Sequence, residues 1–304
     1  MEFFKKQTNI DFFGVRKIAA IISLILVLIS LGSLLTKGLN WGLDFTGGTV
    51  IELHYPNAAN LDQIRDILNK AGFENAVVQT YGGIEDVMIR VAPMAGENEQ
   101  MVAKKILEGL QTAEPNVTLS RTEAVGAQVG KELTEQGGLA VLCALVLTAL
   151  YIAFRFEYRF AVSAAVALAH DPIIILGVFS LFQLEFDLNT LAAMLGIIGY
   201  SLNDTIVVFD RVKENFIRVR KATPLEIMNL SINQTLSRTI MTSALTLMVV
   251  LALLFLGGKS IFGFSLALAI GVAVGTYSSI YIAGSCAVAM GLSKKDLMPT
   301  PKEV

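Results

Sequence analysis

Charged residues are scarce in this sequence. Lys, Arg, Asp and Glu make up 16% of the 304 residues, against about 25% in a typical soluble domain, and 54% of the residues are hydrophobic. This composition excludes an ordinary soluble domain and indicates an integral membrane protein. The formal net charge of −2 argues against a nucleic-acid partner.

Cysteine and histidine are also rare. The two cysteines, Cys143 and Cys286, both lie in apolar runs, so we expect neither a structural disulfide nor a redox or metal motif. The two histidines, His54 and His170, are predicted on opposite sides of the topology and cannot form a metal cluster. We therefore expect no cofactor and no metal.

Nucleotide-binding and hydrolase motifs are missing. The sequence has no P-loop and no G-x-S-x-G, and Gly47-Gly48 is followed by a predicted strand rather than by a helix that could cradle phosphate. ATP bound to this chain is therefore not the expected energy source, and the chain is not expected to be an enzyme. An ion gradient remains, since each charge crossing ~100 mV releases about 2.3 kcal/mol.

Six apolar runs are each close to the ~20 residues that cross a bilayer. The first, 18–35, follows a basic segment, but it is too long for a signal peptide and no A-x-A site follows, so we interpret it as an uncleaved span. The predicted organisation is a cytoplasmic N-terminus, one span, a polar domain, five further spans and a cytoplasmic tail, over 1–17, 18–35, 36–137, 138–290 and 291–304.

Lysine and arginine set the predicted orientation. One side of the predicted topology receives 15 of them, whereas the short loops opposite hold Lys259 alone. The positive-inside rule places both termini in the cytoplasm and 36–137 on the trans side.

The polar segment 36–137 alternates between strand and helix patterns. The order is strand, helix, strand, strand, helix, strand, with Asn60 as an N-cap and Gly82-Gly83 as a hairpin signal. This βαββαβ order predicts a ferredoxin-like α+β domain. From about Ala127 we expect helix running directly into the second span.

The cytoplasmic stretch at about 210–238 is basic and amphipathic. Thr223-Pro224 indicates the start of a second short helix. One interpretation is a surface-lying helix pair attracted to anionic lipid or to a partner; the other is an ordinary positive-inside loop.

The segment 196–211, GIIGYSLNDTIVVFDR, carries a carboxylate within a span. On a helix Gly196, Gly199, Tyr200, Asn203 and Asp204 share one side, and we expect the opposite side, with Ile198 and Leu202, to face lipid. A carboxylate at that depth costs roughly 2.5–3.5 kcal/mol, which favours a functional role for Asp204. The alternative is a carboxylate buried for packing only.

Two further charged residues lie within spans. Asp171 follows His170 and precedes Pro172, and Arg238 shares a side of the fifth span with Thr235 and Thr242. We predict a proton relay of Asp204, Arg238 and Asp171, with Asn203, Tyr200, His170 and Thr242 as supporting or packing residues. The alternatives are a proline kink at Asp171, a structural His170, and an Arg238 that snorkels to the interface. A small-xxx-small pattern, Gly271 to Gly275, predicts close helix contact in the last span.

Four stretches resemble signatures of one known family. WGLDFTGGT at 41–49, LAHDPIIILG at 168–177, GYSLNDTIVVFDRVKENF at 199–216 and SRTIMTSALTL at 237–247 are similar, in order, to the SecD/SecF family and to its SecF branch in particular. The resemblance covers nearly the whole chain and departs from the family pattern at none of these positions.

The resemblance implies a fold and a role. It implies a six-span half of an RND-like transporter in the bacterial inner membrane, paired with SecD, that uses the proton-motive force to promote protein translocation through the SecYEG channel. Its partners would be the translocating polypeptide and the YajC and YidC proteins. The NDT and SRT motifs of the family fall on Asp204 and Arg238, and its His-Asp-Pro motif falls on His170 and Asp171.

Two other functions stay open. One is an RND-type exporter half for lipids or small hydrophobic molecules, although about 100 polar residues leave little room for a pocket. The other is a scaffold that binds the translocase without conducting protons. The sequence also leaves open whether sodium replaces the proton, since a carboxylate among hydroxyls suits either ion.

Overall fold

The computed structural model describes residues 8–81, 83–93, 99–219 and 221–292. These residues divide into two compact units. One is Trp41–Leu139, and the other contains the described residues up to Asn40 together with those from Ala140 onward. The first unit holds a sheet, and the second is a helical bundle.

The sheet unit has four long strands and two helices after a short first strand and a one-turn helix. In chain order these elements are β1 Asn40–Trp41, α2 Leu43–Thr46, β2 Gly48–His54, α3 Leu61–Lys70, β3 Val77–Thr80, β4 Asp86–Val91, α4 Glu99–Ala113 and β5 Thr118–Val125, with α1 lying in the bundle. The sheet order is β3-β4-β2-β5, and every neighbouring pair is antiparallel. This is the split-βαβ order, so the predicted ferredoxin-like fold is confirmed. Gly82 of the hairpin signal lies outside the described residues.

Apolar residues on one face of the sheet form the core of this unit. Ile51 and Leu53 on the central strand β2 are fully buried, as is Ile89 on β4, and Leu68 and Ile106 from the two helices cover them. The predicted N-cap of α3 is confirmed, because Asn60 Oδ1 accepts hydrogen bonds from the amides of Asp62 and Gln63 at 3.1 and 3.2 Å.

The glycine pair before β2 is required by close backbone contacts. Both residues have positive φ, +67° at Gly47 and +112° at Gly48. A Cβ on Gly48 would lie 2.3 Å from the carbonyl oxygen of Val91, and one on Gly47 would lie 2.9 Å from the Cα of Ala127. The pair therefore lets β2 enter the sheet beside β4, and it is a turn into a strand as predicted.

The bundle contains the six helices, among the described residues, that are long and apolar enough to cross a membrane. Five are single helices: α1 Arg16–Thr36, α5 Ala127–Arg155, α6 Tyr158–Leu181, α7 Leu188–Arg218 and α8 Pro224–Leu256, of which α5 belongs to the bundle from Ala140 onward. The sixth runs from Lys259 to Ala289 as a 3₁₀ turn Lys259–Ile261, α9 Phe262–Ser278, a π-helical segment Ser279–Ala283 and α10 Gly284–Ala289. The strand β6 Glu185–Phe186 precedes α7. As predicted, α5 begins at Ala127 and continues into the second span.

We call the end of the bundle where α5 meets α6 and α7 meets α8 the basic end; Arg155, Arg159, Arg211 and Lys213 lie there. The prediction of a separate short helix in this region was wrong. Thr223 and Glu226 form a capping box, with Glu226 N donating to Thr223 Oγ1 at 3.3 Å and Thr223 N donating to Glu226 Oε2 at 2.8 Å. The helix that it opens is α8 itself, because no Gly or Pro follows Pro224 to interrupt the chain before Leu256. The predicted surface-lying helix pair is therefore absent from the described residues.

Small residues bring α7 and α9 into close contact. A Cβ on Gly271 would lie 2.1 Å from Ile197 Cδ1, and one on Gly275 would lie 3.0 Å from the Cβ of Ser201. The prediction of close packing at this small-xxx-small pattern is confirmed. Gly177 of α6 receives Ser30 of α1 in the same way.

An N-terminal segment, 8–14, lies against α8 at the basic end. Asn233 Oδ1 accepts from the amide of Ile10 at 2.9 Å and its Nδ2 donates to the Ile10 carbonyl at 2.8 Å, while Asn229 Oδ1 accepts from the amide of Phe12 at 2.8 Å. Phe12 and Phe13 are buried in the bundle core beside Met228. The side-chain amides of Asn229 and Asn233 thus bond to the backbone of this segment, as the backbone of a neighbouring strand would.

We predict that Gly271→Leu destabilises the bundle, because the larger side chain cannot fit against Ile197 without separating α7 from α9. Thermal unfolding of the detergent-purified protein measures this effect. Gly32→Leu is the matched control, since Gly32 is an exposed helical glycine with no atom within 4 Å of its Cβ position. Equal unfolding midpoints for the two variants would contradict the packing argument.

We also predict that Asn233→Ala speeds hydrogen exchange at the Ile10 amide, because the substitution removes its acceptor. Exchange measured by mass spectrometry should rise in segment 8–14 and stay unchanged in the sheet unit. An unchanged Ile10 amide would show that Asn233 does not hold the segment.

Candidate functional site

Asp171 is a hydrogen-bonded centre of the bundle. Its side chain on α6 is 1% exposed. Its Oδ2 accepts from Ser201 Oγ on α7 at 2.5 Å and from Ser278 Oγ on α9 at 2.9 Å. Its Oδ1 lies 2.9 Å from His170 Nδ1. One carboxylate therefore joins three membrane-spanning helices, and Pro172 is accommodated within a continuous α6.

His170 links Asp171 to a groove in the bundle. Its Nε2 is buried and has no hydrogen-bond partner among the described residues. The groove measures about 570 Å³ and is lined by α1, α6 and the last span, with Leu24, Ile173 and Cys286 among its largely apolar walls. Within the part of the chain that the structure describes, Nδ1 is therefore the ring nitrogen that has a hydrogen-bond partner.

Asp204 lies one helical turn from Ser201 toward the basic end. Its side chain is 2% exposed, and its Oδ2 has no hydrogen-bond partner among the described residues. A buried carboxylate oxygen without a partner is costly and calls for an explanation, of which a functional role is one. Asp204 thus differs sharply from Asp171, whose two oxygens are both engaged.

Arg238 is near Asp204 but does not pair with it in this structure. Its charge is close enough to act on the Asp204 carboxylate, yet the ion pairs seen within the described ranges do not include these two residues. The side chain of Arg238 is exposed. The predicted relay pair is thus near in space and open in this conformation.

The supporting residues divide into two groups. Tyr200 donates to Ser243 Oγ at 3.2 Å, and that hydroxyl lies 2.7 Å from Thr276 Oγ1, so Tyr200 connects α7, α8 and α9. Thr242 instead bonds the carbonyls of Arg238 and Thr239 within its own helix at 3.1 and 3.0 Å. Asn203 is exposed.

The expected lipid-facing side of α7 was assigned wrongly. Ile198, Leu202 and Phe209 are buried at 3%, 9% and 0% exposure, whereas Gly196, Gly199 and Asn203 are exposed. The prediction assumed that polar residues of a span turn toward their own bundle. Here α7 packs against α6, α8 and α9 with these apolar residues inside the bundle, while Gly196, Gly199 and Asn203 form an open stripe.

Sequence reasoning missed Ser201 and Ser278, the two donors to Asp171. A signal existed for Ser201, which lies three residues before Asp204 in a span. Ser278 stands in an otherwise apolar helix, where only the observed contact identifies its partner.

The chemistry available to these residues is ion binding and release. No group of three or more His, Cys, Asp or Glu among the described residues is placed to hold a metal ion. Carboxylates, hydroxyls and one imidazole within spans are suited to accept and pass protons.

Comparison with known proteins adds family relationships. The model "Protein export membrane protein SecD/SecF, C-terminal" matches residues 105–293, and "SecD/SecF GG Motif" matches residues 32–55. The chain is 52% identical to the protein translocase subunit SecF of Pseudomonas aeruginosa, over 97% of this chain and 95% of that relative. It is 46% identical to the SecF of Escherichia coli O157:H7, over 86% of this chain and 82% of that relative.

A solved structure is similar over the same length. The crystal structure of SecDF from Thermus thermophilus, described as a translocon-associated membrane protein, superposes with a TM-score of 0.84 at 39% identity. The similarity covers 94% of this chain, which spans 39% of that longer chain.

We predict that Ser278→Ala destabilises the bundle, because it removes a hydroxyl donor from the buried Asp171 carboxylate. Leaving such an acceptor short of a partner costs about 1–3 kcal/mol. Ser265→Ala is the matched control, since Ser265 lies on the same helix, is fully buried and has an Oγ without a partner. Thermal unfolding should distinguish the two variants, and an equal loss in both would show that the bond to Asp171 contributes nothing.

Proposed function

The chain belongs to the SecD/SecF family of protein-export membrane proteins, and we propose that it couples proton movement to export as the SecF-type half of a transporter. Its membership makes it a multi-pass subunit of the protein translocase machinery. We also propose that the coupling ion is the proton, and we propose further partners and an orientation in the membrane.

The observation that carries the proposal is that Asp204 Oδ2 has no hydrogen-bond partner within the described ranges. A carboxylate that stayed ionised for structural reasons would be expected to gather donors, as Asp171 does with Ser201, Ser278 and His170. A group that must take up and release a proton needs an oxygen that is free to receive it. Asp204 is therefore the residue that loads the proton.

Arg238 provides the charge that responds to loading. When Asp204 is ionised, the nearby guanidinium is attracted to it; when Asp204 is protonated, that attraction is lost. Arg238 sits on α8 and Asp204 on α7, so the change acts between two helices. Movement of α8 relative to α7 would convert proton passage into mechanical work.

SecD is the proposed partner. The open stripe of Gly196, Gly199 and Asn203, next to the exposed Arg238, is a poor surface to present to lipid and a good one to pack against another helix. The solved SecDF chain is more than twice as long as the matching region, which leaves room for a second half. The SecYEG channel, YajC and YidC are further proposed partners, which the family resemblance implies.

The sheet unit is proposed to act on the trans side. With the basic end in the cytoplasm, the positive-inside rule puts both termini there and places 36–137 in the periplasm of an inner-membrane protein. From that position the unit would contact the translocating polypeptide and move with the bundle.

We predict that Asp204→Asn abolishes the gradient-dependent part of export, because an amide cannot take up the proton. Completion of secretion into inverted membrane vesicles, with SecD and the channel present, measures the effect. Asp210→Asn is the matched control, since Asp210 lies on the same helix and forms an exposed ion pair with Arg155 at 2.9 Å. Gradient-driven export equal to wild type in Asp204→Asn would refute the relay.

The identity of the ion requires a separate measurement. Imposing a proton gradient and a sodium gradient one at a time across the same vesicles should restore export with the proton gradient alone. Restoration by sodium alone would assign the carboxylate to sodium.

A further inference from the structure

In the part of the chain that the structure describes, two buried polar atoms without hydrogen-bond partners belong to neighbouring helices. One is Asp204 Oδ2 on α7, and the other is Thr239 Oγ1 on α8; both side chains are 2% exposed. Thr239 directly follows Arg238 in the chain, and sequence patterns gave it no role. The Thr239 hydroxyl can act as a donor and the Asp204 carboxylate as an acceptor, so their positions along the two helices matter.

The register of α7 and α8 places the two residues at the same level. The helices are antiparallel neighbours, since only 219–223 connect them. The hydrogen bond from Tyr200 to Ser243 fixes one level. Asp204 follows Tyr200 by four residues on α7, and Thr239 precedes Ser243 by four residues on α8. Each lies one turn closer to the basic end, on the same face of its helix.

A second contact fixes the register on the other side of that level. Asn215 Nδ2 donates to Ser231 Oγ and to Gln234 Oε1, both at 2.8 Å. Asp204 and Thr239 therefore lie between two hydrogen-bonded levels of the same helix pair. A slip of one turn between the helices would break both contacts.

Thr239 behaves unlike its neighbours on α8. Thr235 Oγ1 bonds the carbonyls of Ser231 and Ile232 at 3.0 and 3.2 Å, and Thr242 bonds carbonyls of its own helix in the same way. This is the usual arrangement for threonine inside a helix. Thr239 has no such bond and keeps its hydroxyl proton available to another acceptor.

We propose that Thr239 is a positioning residue for Asp204, whose hydroxyl donates a hydrogen bond, directly or across one water, to the ionised carboxylate. The bond favours the ionised form and is lost when the proton is taken up. Because Arg238 is the next residue, the same turn of α8 supplies a hydroxyl and a charge to one carboxylate. The proposal rests on the proposed function of Asp204.

Other groups near Asp204 define what the pH dependence reports. From α8 the charged neighbour is Arg238, and from α6 the nearest titratable pair is His170 and Asp171, joined through Ser201. The last span contributes Ser278, which donates to Asp171 and carries no charge. A change at Thr239 should therefore act through Asp204.

The test uses the full chain assembled with SecD in vesicles. Gradient-driven completion of export is measured against pH on the face of the basic end, for Thr239→Val, Thr239→Ser and Thr239→Ala. Valine keeps the shape and removes the hydroxyl, whereas serine keeps the hydroxyl. Thr235→Val is the matched control, because its hydroxyl bonds only to its own helix.

We expect the half-maximal pH to rise in the valine and alanine variants by roughly 1 unit, a tenfold change in proton affinity. Serine should restore the wild-type profile, and Thr235→Val should not shift it. A shift that serine fails to restore would overturn the proposal.

The two proposals fail in different ways. If Asp204→Asn retains gradient-driven export, the relay itself is wrong. If Asp204→Asn is inactive but all Thr239 variants that assemble with SecD keep the wild-type pH profile, the relay stands and Thr239 has no part in it. If the valine variant does not assemble, the alanine and serine variants decide the matter by the same comparison.

Discussion

The arrangement of this bundle depends on the hydrogen bonds that converge on Asp171. A carboxylate within a span must obtain its partners from the protein, and here the donors come from Ser201 on α7 and Ser278 on α9. These bonds require the three helices to meet at one point. The small residues Gly271 and Gly275 allow that meeting by removing side chains between α7 and α9. Replacing either the donors or the glycines would separate the same helices.

The π-helical segment begins directly after Ser278. In an α-helix the backbone would continue in register, but Ser279–Ala283 carries the wider turn that is often found at functional sites. The helix therefore changes its geometry directly after the residue that donates to Asp171.

The sequence predicted correctly the features that depend on residues close together along the chain. The strand β2, the Asn60 cap, the start of α5 at Ala127 and the Gly271–Gly275 pattern have local signals, and each was confirmed. The sequence was misleading where burial depends on what packs beside a helix. The periodicity of α7 separates Ile198 from Asn203 correctly, but it cannot tell which side meets α6 and α9. The amphipathic stretch after Thr223 was likewise predicted to be a separate helix, because its residues change from polar to apolar. That change does not interrupt the backbone, so the stretch is the first part of α8.

Of the site, Asp204, Asp171 and Arg238 were identifiable as charges within spans. The hydroxyls that distinguish Asp171 from Asp204 were not, because an apolar span contains many serines and threonines and only contacts show which of them matter.

The contrast between the two carboxylates assigns them different roles. Asp171 has both oxygens engaged, so changing its protonation would disturb three helices at once. Among the described residues Asp204 has an oxygen without a partner, the exposed Arg238 nearby and a hydroxyl at its level, and its helix presents an open stripe of Gly196, Gly199 and Asn203. Such a stripe is unfavourable against lipid, so a second helical surface is needed to cover it. That surface would also close the exposed Arg238 off from the bilayer. Asp171 thus has its hydrogen-bond partners within this chain alone, whereas the stripe and the charge beside Asp204 would be covered only in an assembly with a second helical surface.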